Sequence, residues 1–224
     1  MAIINNHSKI NLDASFQSNH TELFKVFSNN DLDVEINEDF DGLKTFLESI
    51  PKDDYPYRFD VSFKSDYIDD TTNAFVLYLK KGDEIISTYA AMGMDIETFI
   101  EGMKVENVGT YENVDIESGH QFYSSCQWVS KDHRGKKLGM CLDHLKKNIV
   151  FDILNGDVNY AIHKEAFKSY HNDGLKYDTS SKLATIPNGD VGGAGEKIDK
   201  VYNITWTTKS SWENKQDEVK ALYS

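Results

Sequence analysis

Two β-rich runs, QFYSSCQWV (121–129) and VNYAIH (158–163), bracket a basic glycine turn and an apolar-periodic helix. That succession commits the chain to an architecture that lays helices on a sheet. From Leu138 the apolar residues Leu138, Cys141, Leu142, Leu145 and Ile149 recur at three- and four-residue spacing, the buried stripe of an amphipathic helix. The turn that opens it, RGKKLG (134–139), and the nearby Lys131 gather positive charge in a chain whose formal net charge is -13. Such a concentration calls for an anion. The first N–H groups of a helix have no intrahelical partner, and the macrodipole adds about half a positive charge at that end. Gly135 and Gly139 carry no side chain, so the backbone can approach a phosphate closely. The turn is neither GxxxxGK[ST] nor GxGxxG, which excludes a P-loop and a dinucleotide fingerprint.

The rest of the chain supplies more sheet and more helix. AFVLYLKKGDEIISTYAAMGMDI (from 74) is two strand-forming runs about a Lys-Gly-Asp turn, an antiparallel hairpin. Residues 1–20 are polar and read as a loosely held arm. A helix follows over 20–29 with Thr21 as its N-cap, then a strand marked by Leu32, Val34 and Ile36. Leu43, Phe46, Leu47 and Ile50 predict a helix that stops at Pro51. IETFIEGMK (96–104) has the length of one or two helical turns, and VENVGTYENVDIESG (105–119) is a polar connection. EAFKSYHNDG predicts a helix with Gly174 as a left-handed C-cap, PNGDVGGAG (187–195) a flexible loop, and VYNITWTT (201–208) a last strand before a charged tail. These elements predict an α+β fold in one domain over residues 1–224, with a divergent region at 1–70.

Composition narrows the function. At 39% hydrophobic and 27% charged residues the chain is globular in character. No apolar run approaches the ~20 residues a membrane helix needs, and MAIINNHSKINLD lacks the core of a signal peptide, so a cytoplasmic location away from membranes is expected. Cys126 and Cys141 are too few and too irregularly placed for a disulfide framework or a zinc site, and read as packed side chains. The histidines are scattered, and no metal site is expected. Residues 1–118 hold 24 Asp and Glu against 9 Lys and Arg, whereas residues 119–224 hold 13 against 15. That imbalance argues against the basic stripe of a nucleic-acid binder, and the acidity serves either solubility alone or the attraction of a cationic substrate.

The turn and its surroundings resemble the GNAT superfamily of acyl-CoA-dependent N-acyltransferases. The family pattern is a strand ending in Val, a five-residue step to Arg, then R-x-x-G-x-G/A opening a helix. Here Val129 leads to Arg134, Gly135, Lys136, Lys137, Leu138 and Gly139. Downstream, A-x-x-x-Y-x-x-x-G-F is matched by Ala166, Tyr170 and Gly174. Lys137 stands where the first glycine usually is, crowding the turn or adding a cation to it. His163 replaces an Asn three before the alanine, and Leu175 replaces Phe. The resemblance covers residues 74–178 and hardly touches 1–70.

The resemblance implies a mixed, mostly antiparallel central sheet with helices on both faces and a V-shaped splay between two central strands. Acetyl-CoA is then the co-substrate. Gln127, Trp128 and Val129 would line its pantetheine arm, the turn from Arg134 through Gly135, Lys136, Lys137, Leu138 and Gly139 to Met140 would hold its diphosphate, and His163 would border the arm. By the same likeness Tyr170 is the general acid toward the departing thiolate. Glu117 and His120 are candidates for the base, with Tyr123 and His163 as further ones. The acceptor is expected to be a cationic small-molecule or peptide amine, and the protein a monomer or homodimer. Two other readings stay open: a CoA-binding or regulatory module without turnover, which the Lys137 departure favours, and an acidic interaction protein in which RGKKLG is only a solvated helix start.

Overall fold

The computed structural model describes residues 1–51, 53–54, 73–102, 119–164, 170–186 and 200–223. One eight-stranded sheet organises them, in the order β1-β2-β3-β4-β5-β6-β8-β7. Its strands are β1 (Ile3–Asn5), β2 (Asp33–Asn37), β3 (Ala74–Lys81), β4 (Glu84–Gly93), β5 (Gln121–Val129), β6 (Val158–Lys164), β7 (Thr179–Ile186) and β8 (Lys200–Thr208). Pairing is antiparallel except between β1 and β2 and between β5 and β6. The parallel β5–β6 pair follows from the helix between them, since a crossover brings the second strand back in the same direction.

Helices cover both faces, which is why the central strands read as nearly continuous apolar runs. On one face Phe75, Leu77 and Leu79 of β3 join a core with α1 (Ala14–Asn19), α2 (Thr21–Asn29) and α5 (Leu138–Asn148). Trp212 of α6 (Lys209–Asn214) and Val219 of α7 (Gln216–Ala221) close that core from outside. On the other face the alternate residues Ala74, Val76 and Tyr78 pack with α3 (Phe40–Ser49), and Phe99 of α4 (Ile96–Gly102) joins them. Period-two alternation in β3 therefore sorts its residues between two cores. The hairpin closes at Gly82, whose φ of 60° only glycine adopts freely.

Several expectations need correction. Residues 1–20 are no loose arm: they form β1 and α1, with Asp13 capping α1 by accepting from the Phe16 N–H at 2.8 Å, and Ile10 and Leu12 buried. Ile10, Leu12 and Phe16, the buried apolar residues of this segment, are too sparse among polar ones to show a period. His20, not Thr21, is the residue before α2; the Thr21 hydroxyl donates to the Ser18 carbonyl at 2.8 Å. Gly174 is not left-handed. The left-handed residue is Lys176, φ 60°, after a π-helical turn at Tyr170–Gly174.

Helix α5 is buried on every side, not along one stripe, because α2, α6 and α7 cover its outer face. It runs on as a π-helical turn over Ile149–Ile153. SSKLATI pairs with β8 as β7, which no alternation announced, and the charged tail folds as α6 and α7. The connection at 105–118 and the loop at 187–195 lie outside the described residues.

Candidate active site

Strands β5 and β6 pair at four rungs, from Gln121–Val158 to Ser124–Ala161, and then part, although β5 continues to Val129 and β6 to Lys164. Each is held on its far side. The outer half of β6 stays paired with β8 as far as Lys164–Tyr202. The outer half of β5 stays with β4 through a bulge at Cys126, φ 60°. There the Thr88 hydroxyl donates to the Cys126 carbonyl at 2.8 Å and the Ser87 hydroxyl to the Trp128 carbonyl at 2.7 Å. A bulge bends its strand, so the V-shaped gap follows from these two anchors. The Ser130 N–H donates to Ile86 of β4. Alternation along the strand turns the Val129 N–H the other way, into the gap. An unpaired strand edge of this kind is a template for an extended ligand.

Beyond Val129 the chain makes a 3-10 turn at Lys131–His133, passes Gly135 at φ 80° and Lys137 at φ 61°, and enters α5. The first α5 bond runs from the Cys141 N–H to the Lys137 carbonyl at 2.9 Å. The N–H groups of Leu138, Gly139 and Met140 therefore lie ahead of the helical ladder without an intrahelical acceptor, the arrangement by which helix starts meet anions. A Cβ on Gly139 would sit 2.9 Å from Val129 Cγ2, 3.3 Å from Gln127 Nε2 and 3.5 Å from Tyr170 Oη, so only glycine lets the helix start approach β5 this closely. A left-handed lysine at 137 costs about 1–2 kcal/mol relative to glycine.

The side chains at this end of the gap form one cluster. Gln127 Nε2 donates to the Gly139 carbonyl at 2.8 Å and to the Tyr170 hydroxyl at 3.3 Å. Tyr170 is 41% exposed as a residue, yet its hydroxyl end is held by Gln127, and burial followed by the Asp143 charge pushes its pKa up, keeping the phenol protonated. His163, beyond the last rung of β6, stacks on His171 with ring centroids 4.0 Å apart. Burial first, then His163, pushes the His171 pKa down to about 3, so that ring is neutral.

The cations are distributed differently from the sequence reading. Arg134 Nε donates to the Val129 carbonyl at 3.0 Å, and its guanidinium forms an ion pair with Asp54. The Trp128 indole N–H reaches the same Asp54 carboxylate at 3.4 Å, with the ring packed edge-on against Phe46 of α3. Lys131 reaches Asp53 at 3.4 Å. The Lys137 side chain does not stay within the turn but donates to the Leu222 carbonyl at 2.8 Å, although its charge is still felt by Cys141 in the first turn of α5. Lys136 is exposed.

The structure thus brings together Gln127, Val129, Gly139 and Tyr170, with Arg134, Gly135, Leu138 and Met140 at the helix start and His163 on the facing strand. It does not bring His120 there. His120 precedes β5, donates its N–H to Asp157 at 2.8 Å, and lies at the closed end of the V, about 13 Å from the last rung at 3.3 Å per residue. Glu117 and Ala166 lie outside the described residues. Tyr123 projects to the opposite face, where it packs with Tyr160 at 5.5 Å and Phe99 at 4.4 Å. Asp53 and Asp54 are the site residues the sequence did not announce, since two carboxylates after Pro51 look like any solvated loop. Neither cysteine forms a disulfide, and burial pushes the Cys141 thiol up to about 12. Among the described residues no group of His, Cys, Asp and Glu is arranged to hold a metal ion, and no helix is long and apolar enough to cross a membrane.

No protein-family model and no curated protein matches the sequence. Solved structures do match the fold. A point mutant of the spermidine N-acetyltransferase SpeG from Vibrio cholerae is similar at 12% identity and a TM-score of 0.51, over 84% of this chain and 99% of that one. Spermidine/spermine N-acetyltransferase SpeG from Vibrio cholerae in complex with manganese ions gives 14% identity and a TM-score of 0.50, over 84% and 98%. The chain has the fold of the GNAT acetyltransferases.

Proposed function

We propose that this chain is an N-acyltransferase that moves an acetyl group from acetyl-CoA to a primary amine by direct attack in a ternary complex. One observation carries the reading: the gap between β5 and β6 opens beside a helix start whose first N–H groups have no intrahelical acceptor, and the Tyr170 hydroxyl, held by Gln127, stands at the same place. A diphosphate fits the N–H groups of Leu138, Gly139 and Met140, and an amide-bearing arm fits the unpaired edge of β5.

In this reading the chain's own groups divide the chemistry. The Val129 N–H donates to the thioester carbonyl and stabilises the negative charge that develops on its oxygen. The neutral amine attacks the thioester carbon to form the C–N bond, collapse of the intermediate breaks the C–S bond, and the proton that the nitrogen then sheds passes through water to restore the Tyr170 hydroxyl once it has protonated the sulfur. Tyr170, fixed by Gln127, gives its proton to the departing sulfur. Glu117 remains a candidate base, while the position of His120 at the closed end argues against that residue. The acceptor we propose is a cationic amine, a polyamine among the candidates. The formal charge of -13 supports this, and so does the fold shared with a spermidine N-acetyltransferase.

Thiol release from acetyl-CoA against pooled polyamines, aminoglycosides and lysine peptides tests the proposal. Release with at least one pool is expected. CoA at a hundred times its dissociation constant should also stabilise the fold by ~2.7 kcal/mol. Stabilisation without release from any pool would make the chain a CoA-binding module, and neither effect would leave an interaction protein.

A further inference from the structure

Lys137 belongs to the helix-start turn by its backbone and to the far end of the fold by its side chain. Its ammonium donates to the carbonyl of Leu222, the residue that ends α7. That oxygen is one of the carbonyls a helix leaves without an internal partner, at the negative end of its dipole, where a cation is favoured. The next residue is gripped as well: the Tyr223 hydroxyl lies 2.8 Å from Nδ1 of His144, a fully buried residue of α5. Further along, the Trp212 indole of α6 donates to Asn148 at 2.8 Å. Segment 209–223 is therefore fastened along α5 from its last residue to its first turn. The left-handed backbone at Lys137 has a steric cost that its side-chain bond to the Leu222 carbonyl offsets in part.

We infer that Lys137 is a positioning residue that ties the diphosphate turn to α7, making Leu222 and Tyr223 part of the support of the acyl-CoA site. The inference rests on the proposed function, because it takes the turn at 134–140 to be where CoA binds. Pulling α7 away frees the turn, and an ordered turn holds α7 in place. The lysine acts through the backbone of Leu138, Gly139 and Met140, not by touching phosphate.

Three variants test it: Lys137→Met, which keeps a side chain of similar length on the same backbone, Lys137→Arg, and a chain ended after Ala221. Lys137→Met and the shortened chain should each raise the Kd for CoA about fivefold, the combination no further, and Lys137→Arg should restore binding. Amide exchange without ligand should show the same coupling, with both 135–141 and 216–221 exchanging about fivefold faster in Lys137→Met. A loss of affinity in Lys137→Met alone, with the shortened chain binding normally, would mean that the lysine meets phosphate directly and would overturn the inference. So would additive losses, or exchange in α7 that ignores Lys137. If the unaltered chain binds no CoA, the proposed function fails and the exchange result alone decides whether the tie exists.

Discussion

The guanidinium of Arg134 and the carboxylate of Asp54 are paired at the open end of the β5–β6 gap, with the Trp128 indole N–H on the same carboxylate. An anion arriving at the turn must share Arg134 with Asp54 or displace it. The pair is half exposed on the arginine side, 47%, so it is worth no more than ~1 kcal/mol. Asp54→Asn keeps the shape and removes the charge. It should lower the Kd for CoA by about threefold to fivefold at low salt, with the gain shrinking at high salt. Calorimetric titration at two ionic strengths measures this, and weaker binding would instead show that Asp54 orients Arg134 for the ligand.

In the proposed reaction Tyr170 supplies one proton. Its hydroxyl touches Gln127 and faces the glycine that opens α5, and its raised pKa keeps it protonated through the neutral range. Tyr170→Phe should lower kcat by about a hundredfold or more, the usual weight of a positioned acid, while the Kd for acetyl-CoA moves less than twofold. Stopped assays of thiol release beside binding titrations separate the two quantities. An unaltered rate would take the phenol out of the chemistry.

Direct attack needs no thiol nucleophile. Cys126 is buried in the bulge that bends β5, and its backbone, not its sulfur, shapes the gap. Cys126→Ala retains a Cβ and the same backbone cost, so more than half of the turnover and an unchanged Kd for CoA are expected. Loss of turnover with the fold and CoA binding intact would point to a covalent acyl-cysteine instead.

The elements that were legible in the sequence are those whose signal is local. The stretch from Gln121 to Leu145 declares itself through strand residues, a glycine at a left-handed position and a helical period, and the hairpin through Gly82. Strand β7 declares nothing, because its pairing with β8 is its reason for being a strand. The site divides in the same way. Val129, Gly139 and Tyr170 are picked out as candidates by the spacing of two motifs, and Gln127 by its place on the same strand. The contact between Arg134 and Asp54 joins residues 80 apart, and no spacing foretells it. Lys137 is readable as a cation in a turn, but which oxygen it meets is decided by where α7 ends. His120 sits next to β5 in sequence, and only the pairing register tells which end of that strand opens.

Behind the last rung lies a buried charge network that the proposed chemistry does not use. Asp143 meets Lys146 at 2.8 Å and Lys147 at 2.9 Å, all three fully buried. Lys146 continues to Asn159 at 2.7 Å and Tyr177 at 3.0 Å, and Asn159 to the Ser124 hydroxyl at 2.7 Å, on the rung where the strands part. Burial alone would raise the Asp143 pKa, but the two ammonium groups override it and hold it low. Burial likewise pulls Lys146 down to about 7, against the partial compensation of Asp143. An unfolded lysine titrates near 10.4, so between pH 7 and about 10 the unfolded chain binds more protons than the native one, and the contribution of Lys146 makes stability rise with pH. Lys146→Met should remove that rise and so be less damaging at pH 7 than at pH 9, since Lys147 still pairs with Asp143 and no buried charge is left alone. Asp143→Asn should cost more at pH 7, because two buried ammonium groups lose their common counter-charge. Its deficit should shrink by pH 9 as Lys146 sheds its proton at no electrostatic loss. Urea unfolding at pH 7 and pH 9 reads all of these, and an Asp143→Asn variant less damaged than Lys146→Met would show that the carboxylate is not what holds the two lysines inside.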